Sequence, residues 1–396
     1  MKKLLVLLLV AVMAFAVLTA CNNTPSTPGN ETENLETTKP ENEEFVPEII
    51  PASKVDPRQI VVDYMYKMAN LEWTPSTDID LSVIHEKLYY KKGVKYYGIM
   101  YCTGDRTMTD YDEFMAQLND QNQYIGPITQ KSAWGNHCSS AIRLSYDQIE
   151  RNLKFGYTGA MVPSQNKGTI IVGDYKVEKE FTTTDEIVAI NPLTVMQEAY
   201  AQLQKGDCIL TCWGPTGHAR MVLEVKVVRA AGGKLNPNRS SIITIEQTNS
   251  FDKQAKDGKN TTWYVEHEYT FTDLYTAKYI PLTIKTLQNT DHKDTEFTNK
   301  SLNTAENITE GKLKGIIRSS YLEIKSVTVD VLDSSNNVVA TETYANTNND
   351  PLAFQFNNRK APEGITSLAA GDYTCLYTAN TVYGSAKVAK LDFTVQ

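Results

Sequence analysis

The chain has 396 residues, 41% hydrophobic and 22% charged, with 39 Lys and Arg against 47 Asp and Glu for a net charge of −8. At roughly 150 residues per folding unit, that length accommodates two domains beside a leader and a linker. The composition argues against wholesale disorder and a polytopic membrane fold, and mild acidity with no basic run longer than a pair argues against nucleic acid as a partner.

Residues 1–21 read as a secretory leader: Lys2 and Lys3, an apolar run from Leu4 to Leu18 too short to span a bilayer comfortably, then Leu18-Thr19-Ala20-Cys21. The tetrad resembles the bacterial lipobox. That resemblance implies lipidation of Cys21, which would make the mature chain an extracytoplasmic lipoprotein held on a bacterial membrane. Residues 22–55 are rich in Asn, Thr, Pro, Ser and Glu, with almost no apolar residue before Phe45, and read as a disordered tether reaching on the order of 30 Å.

A first folded domain is expected over residues 56–290. Asp56-Pro57 opens a helix carrying Ile60, Val61, Tyr64, Met65 and Met68 at helical spacing. The pattern then predicts a strand over Tyr96 to Tyr101 and helices over Tyr111 to Leu118, Cys138 to about Asn152, and Pro192 to Gln204. Strands follow over Cys208 to Trp213, His218 to Val228, Ile242 to Thr248, Thr262 to Glu268 and Ala277 to Ile284. Helices followed by an antiparallel sheet make an α+β fold. A polar stretch from about Leu287 to Glu310 separates this from a second domain, 291–396, of short strands with an Asp333-to-Asn337 hairpin turn, which reads as a small all-β sandwich. Its closing segment, Ala370-Gly371-Asp372-Tyr373-Thr374 and then Phe393-Thr394-Val395, resembles the last strands of immunoglobulin-like modules of bacterial surface proteins.

Apart from Cys21 there are five cysteines, an odd number that leaves at least one free thiol unless chains are cross-linked. Cys208 and Cys212 share a strand face too far apart to bond each other and read as packed small hydrophobes. The histidines show no ligand spacing, so neither metal nor cofactor is expected. Cys138 differs, because Trp134-Gly135-Asn136-His137 breaks the chain just before an amphipathic helix. A cysteine at a helix N-terminus is either a buried structural residue or a nucleophile, since orphan N–H groups and the positive end of the dipole favour thiolate there. Downstream, Gly217-His218 opens a strand from which an imidazole can reach such a thiol, and the strand holding Glu246 and Gln247 offers a polar side chain to orient that ring.

In this order the residues resemble the papain-like cell-wall hydrolases that include NlpC-type endopeptidases and CHAP amidases. The matching segments are Gly98-Ile99-Met100-Tyr101, His137-Cys138-Ser139-Ser140, Gly206-Asp207, Gly217-His218 and Ile245-Glu246-Gln247-Thr248, spread over Tyr96 to Ile284. The resemblance implies a papain-like catalytic domain with Cys138 as nucleophile, His218 as base and Glu246 as orienting residue; Gln247 is the alternative third member. It also implies that Tyr101, Trp134 and Ser139 line the substrate or oxyanion side. His137 stands where the family has aspartate, Ser140 where it has glycine and Met100 where it has proline. The implied activity is amide or peptide hydrolysis through an acyl-enzyme, in peptidoglycan or another cell-surface peptide. An acyltransferase on the same fold, or an inactive surface lipoprotein that binds through the sandwich, are the competing expectations.

Overall fold

The computed structural model describes residues 45–214 and 216–396. The leader, the lipidation of Cys21 and most of the tether lie outside the described residues. The fold mixes helix and sheet, with strand outweighing helix.

Helix α1, Pro57–Ala69, starts where Asp56 accepts the Gln59 N–H and Pro57 takes the first turn, and it buries Val61, Val62, Met65 and Met68. Helix α2 is Tyr111–Met115 and α3 is Cys138–Tyr146. The expected helix to Asn152 is shorter than predicted, because the chain tightens into i→i+3 turns in which Gln148 N–H donates to the Ser145 carbonyl at 3.3 Å. The expected strand at Tyr96–Tyr101 is paired regularly only over Tyr96–Tyr97, because Gly98 turns the chain at φ +79°.

Strand β1 is Thr169–Ile171, and helices α4 (Thr184–Ile190) and α5 (Leu193–Tyr200) precede β2, Cys208–Cys212. Then come β3 (Gly217–Lys226), β4 (Ser241–Gln247), β5 (Trp263–Thr270), α6 (Phe271–Thr276) and β6 (Ile280–Ile284). These strands form one sheet in the order β5-β4-β3-β2-β6-β1, antiparallel throughout. Helix α3 packs on β3 and β4, burying Ala141 and Ile142 in the cluster that also holds Ala219, Met221 and Ile245. The far end of α3 is pinned where Tyr146 donates its hydroxyl to the Gly206 carbonyl at 2.8 Å. Asp207 beside it accepts from Arg58 at 2.9 Å, tying α1 to the start of β2.

The polar stretch before the second half is not strand-free. It holds β7, Phe297–Lys300, whose only buried residue is Phe297, so the alternation that announces a strand is missing. Strands β8 (Ile316–Ser319), β9 (Ser326–Asp333), β10 (Val338–Ala345), β11 (Ala353–Gln355), β12 (Gly371–Thr381) and β13 (Gly384–Val395) complete two antiparallel sheets. Their orders are β7-β8-β11 and β10-β9-β12-β13, and one apolar cluster containing Phe297, Ile317, Phe354, Val329 and Tyr377 spans both.

The C-terminal end of the expected tether, residues 45–55, is structured. Ile50 pairs with Thr295, Glu48 N–H donates to the Lys387 carbonyl at 2.8 Å, and Ile50 and Val55 are buried in the cluster of the second half. The chain is therefore fastened to its C-terminal sheets before α1 begins.

Candidate active site

The segment entering α3 is fixed by its backbone. Asn136 donates its N–H to the Met100 carbonyl at 3.0 Å and accepts from Cys102 N–H at 2.8 Å, so the two segments run as a short ladder. Gly135 permits this approach, since a Cβ there would stand 2.6 Å from the Met100 oxygen. His137 caps the helix: Ser140 N–H donates to its Nδ1 at 3.3 Å, and His137 N–H donates to Ser140 Oγ at 2.8 Å. Cys138 is thereby held as the first helical residue, and no described acceptor takes its N–H.

His218, the second residue of β3, lies beneath this helix end, and its Nε2 bonds Glu246 Oε2. The register Met221↔Ile245, carried one step further, sets Arg220 opposite Glu246 on the same sheet face. Arg220 Nε donates to Glu246 Oε2 at 2.8 Å and Tyr269 donates its hydroxyl to Glu246 Oε1 at 2.7 Å. The guanidinium also lies 3.7 Å from the Tyr269 ring centroid, sandwiching the carboxylate's partners together. With its side chain 1% exposed, Glu246 is a buried anion whose lone pairs are taken by three donors.

The electrostatics follow from these contacts. Burial pushes the Glu246 carboxyl up, but His218, Arg220 and Tyr269 outweigh it and bring it down to about 2. Burial pulls the His218 imidazole down, but Glu246 and the Cys138 sulfur outweigh it and hold it at about 9. Burial also pushes the Cys138 thiol up, and hydrogen bonding to the His137 and His218 rings together with the charge of His218 brings it down to about 5. The other described thiols go the opposite way: burial raises Cys102 and Cys212, and lifts Cys208 and Cys375 to about 12. All of the described cysteines are free, with Cys208 and Cys212 fully buried in β2 as packed side chains.

A cleft of about 440 Å³ opens over Cys138 and His218. Tyr101 and Ser139 line it. The tyrosine hydroxyl has no hydrogen-bond partner among the described residues, and burial together with the nearby Cys138 raises its pKa. Two sequence expectations differ. Trp134 is not part of the cleft wall; its ring lies under Arg106, 4.4 Å from the guanidinium carbon. Gln247 is not beside His218: strand alternation turns it to the other face, where it donates to the Ile99 carbonyl at 2.7 Å. Tyr157, Thr158 and Trp213 contribute to its wall instead.

Gly217 brings that wall against β3, for a Cβ there would meet the Thr211 carbonyl oxygen at 2.4 Å and Thr158 Oγ1 at 2.8 Å. The expected result for Gly217→Ala is a loss of about 1–3 kcal/mol, read as a lower urea midpoint at unchanged slope. A midpoint equal to wild type would mean that both the Thr211 carbonyl and Thr158 shift aside freely.

No protein-family model, curated protein or solved structure matches the chain.

Proposed function

We propose that the chain is a papain-like cysteine hydrolase of the NlpC/CHAP type, tethered through lipidated Cys21 outside a bacterial membrane and followed by an immunoglobulin-like sandwich. Its substrate is an amide or peptide bond in peptidoglycan or another cell-surface peptide. The observation that carries this reading is a single depressed thiol, at the start of α3, facing a histidine whose far nitrogen is bound by a buried carboxylate.

In this mechanism Nε2 of His218 is occupied by Glu246, so the thiol proton passes to Nδ1. The Cys138 thiolate attacks the carbonyl carbon, forming a C–S bond as the carbonyl π electrons move onto oxygen. The Cys138 N–H and the Tyr101 hydroxyl are the donors available to that oxyanion. The imidazolium then protonates the leaving nitrogen as the C–N bond breaks. Water, deprotonated by His218, releases the acyl group.

Thiolate and imidazolium coexist between about pH 5 and about pH 9. Alkylation of Cys138 by iodoacetamide, followed by mass spectrometry, is expected to be fast across that window. In His218→Ala its midpoint should move up by more than one unit. A slow rate that ignores His218 would overturn the hydrolase and favour a binding lipoprotein, while peptide product formed only with an added amine would mark a transferase.

A further inference from the structure

Strand alternation puts His218 and Arg220, two apart in β3, on the same sheet face, and both reach the same carboxylate. They also reach the same atom. His218 Nε2 and Arg220 Nε both bond Oε2 of Glu246, while the neutral Tyr269 hydroxyl has Oε1 to itself. An arginine that served only to orient the carboxylate could do so from either oxygen. Placed on the oxygen that holds the imidazole, it faces the imidazolium as a like charge and shares the lone pairs that draw the proton to the ring. Stacking keeps it there: the guanidinium carbon lies 3.7 Å from the Tyr269 ring centroid and 4.6 Å from that of Tyr279, and the side chain is only 15% exposed.

A buried carboxylate with nothing to offset it would lock the proton on a buried imidazole, and a general acid has to release that proton. We propose that Arg220 is a positioning residue that acts through Glu246, weakening the carboxylate's hold on the His218 proton so that the imidazolium can pass it to the leaving nitrogen. The proposal rests on the hydrolase reading and adds to it a second cation on the orienting carboxylate. The other titratable groups around this pair are Cys138 and His137 at the start of α3, Tyr101 in the cleft wall, Tyr269 on β5 and Tyr279 just before β6. All of them stay in place when Arg220 is replaced.

The test titrates His218 in the full folded chain carrying ring-labelled histidine, with its NMR signal assigned by its absence from His218→Ala. Arg220→Gln removes the charge and keeps a donor for Glu246; Arg220→Met is the second neutral variant should Gln not fold. In either, the His218 midpoint is expected to rise from about 9 by about one pH unit, because a like charge has gone while Glu246 remains. Arg220→Lys retains a cation, so its midpoint should lie closer to wild type than to Arg220→Gln. The rate of Cys138 alkylation by anionic iodoacetate, divided by that of neutral iodoacetamide, gives a second readout. That ratio falls as the imidazolium loses its charge, and in the neutral variants the fall should move to higher pH with the NMR midpoint. An unchanged or lowered midpoint would overturn the proposal and leave the hydrolase standing, since an arginine that merely held Glu246 in place would lower it on removal. A Lys variant that titrates like the Gln variant would overturn it too, because charge would then not be what Arg220 supplies. Slow, His218-independent iodoacetamide alkylation of the wild type would instead remove the hydrolase reading itself.

Discussion

Glu246→Ala is expected to cost about 3–5 kcal/mol of stability near neutral pH, because it strands Arg220 as a buried cation and takes from buried His218 the carboxylate that holds its proton. The Tyr269 hydroxyl loses its acceptor as well. The pH dependence has a defined sign. The folded carboxyl sits at about 2, below its ordinary range, so its contribution is full above about pH 4.3 and is lost as pH falls through 2. His218 is raised to about 9, so its contribution is full below about pH 6.5 and fades as pH rises through 9. Urea titrations of wild type and variant should therefore differ most between about pH 4.5 and 6.5, with the gap narrowing at both ends. In the same variant the Cys138 alkylation midpoint should rise, since His218 no longer holds its proton. Glu246→Gln keeps the shape and removes the charge, so it should shift the alkylation profile while losing less stability. A Glu246→Ala protein as stable as wild type would mean that the carboxylate's desolvation cancels its contacts, and that it serves geometry alone.

How much of this site could be read from residues alone depended on how local each contact is. Cys138 was legible because Gly135 and the polar segment before it break the chain at the start of an apolar helical stripe. His218 was legible because a glycine turn places it first in a strand. Glu246 and Gln247 could not be separated, since the side-chain period of two makes adjacent residues alternatives until the register is known. Pairing of β3 with β4 resolves them. Arg220 and Tyr269 were missed because an arginine or tyrosine in a strand reads as half-exposed, and only the three-strand register brings both onto one carboxylate. Helix α4 carried a readable sign, the capping pair Thr183 and Glu186, that the apolar pattern concealed. Residues 45–55 carried none: Thr295 and Lys387, the partners that order them, lie more than two hundred residues downstream.

His137→Asn is expected to separate two roles that one ring performs. As a cap, His137 accepts the Ser140 N–H through Nδ1, which puts the ring hydrogen on Nε2. As a neighbour of the thiol, its hydrogen bond to the sulfur is the leading influence that offsets burial at Cys138, followed by that of His218. Asparagine is as good a cap, so the urea midpoint should stay within a few tenths of a kcal/mol of wild type, whereas His137→Ala should lose about 1 kcal/mol. The imidazole's hold on sulfur disappears in both. If the thiol moves from about 5 to above about 7, the thiolate fraction at pH 6 drops about tenfold, and iodoacetamide alkylation drops with it. His137→Asp, the residue of the resembled family, caps equally well but sets an anion beside the sulfur and should raise the midpoint further. The groups that share this corner, His218, Tyr101 and Tyr279, are unchanged in all three variants, and His218→Ala provides the scale. Should His137→Asn and His137→Asp both keep the wild-type alkylation profile, His137 is a cap only, and His218 alone sets the thiolate. A shift in both, with stability held, makes this a nucleophile flanked by two imidazoles.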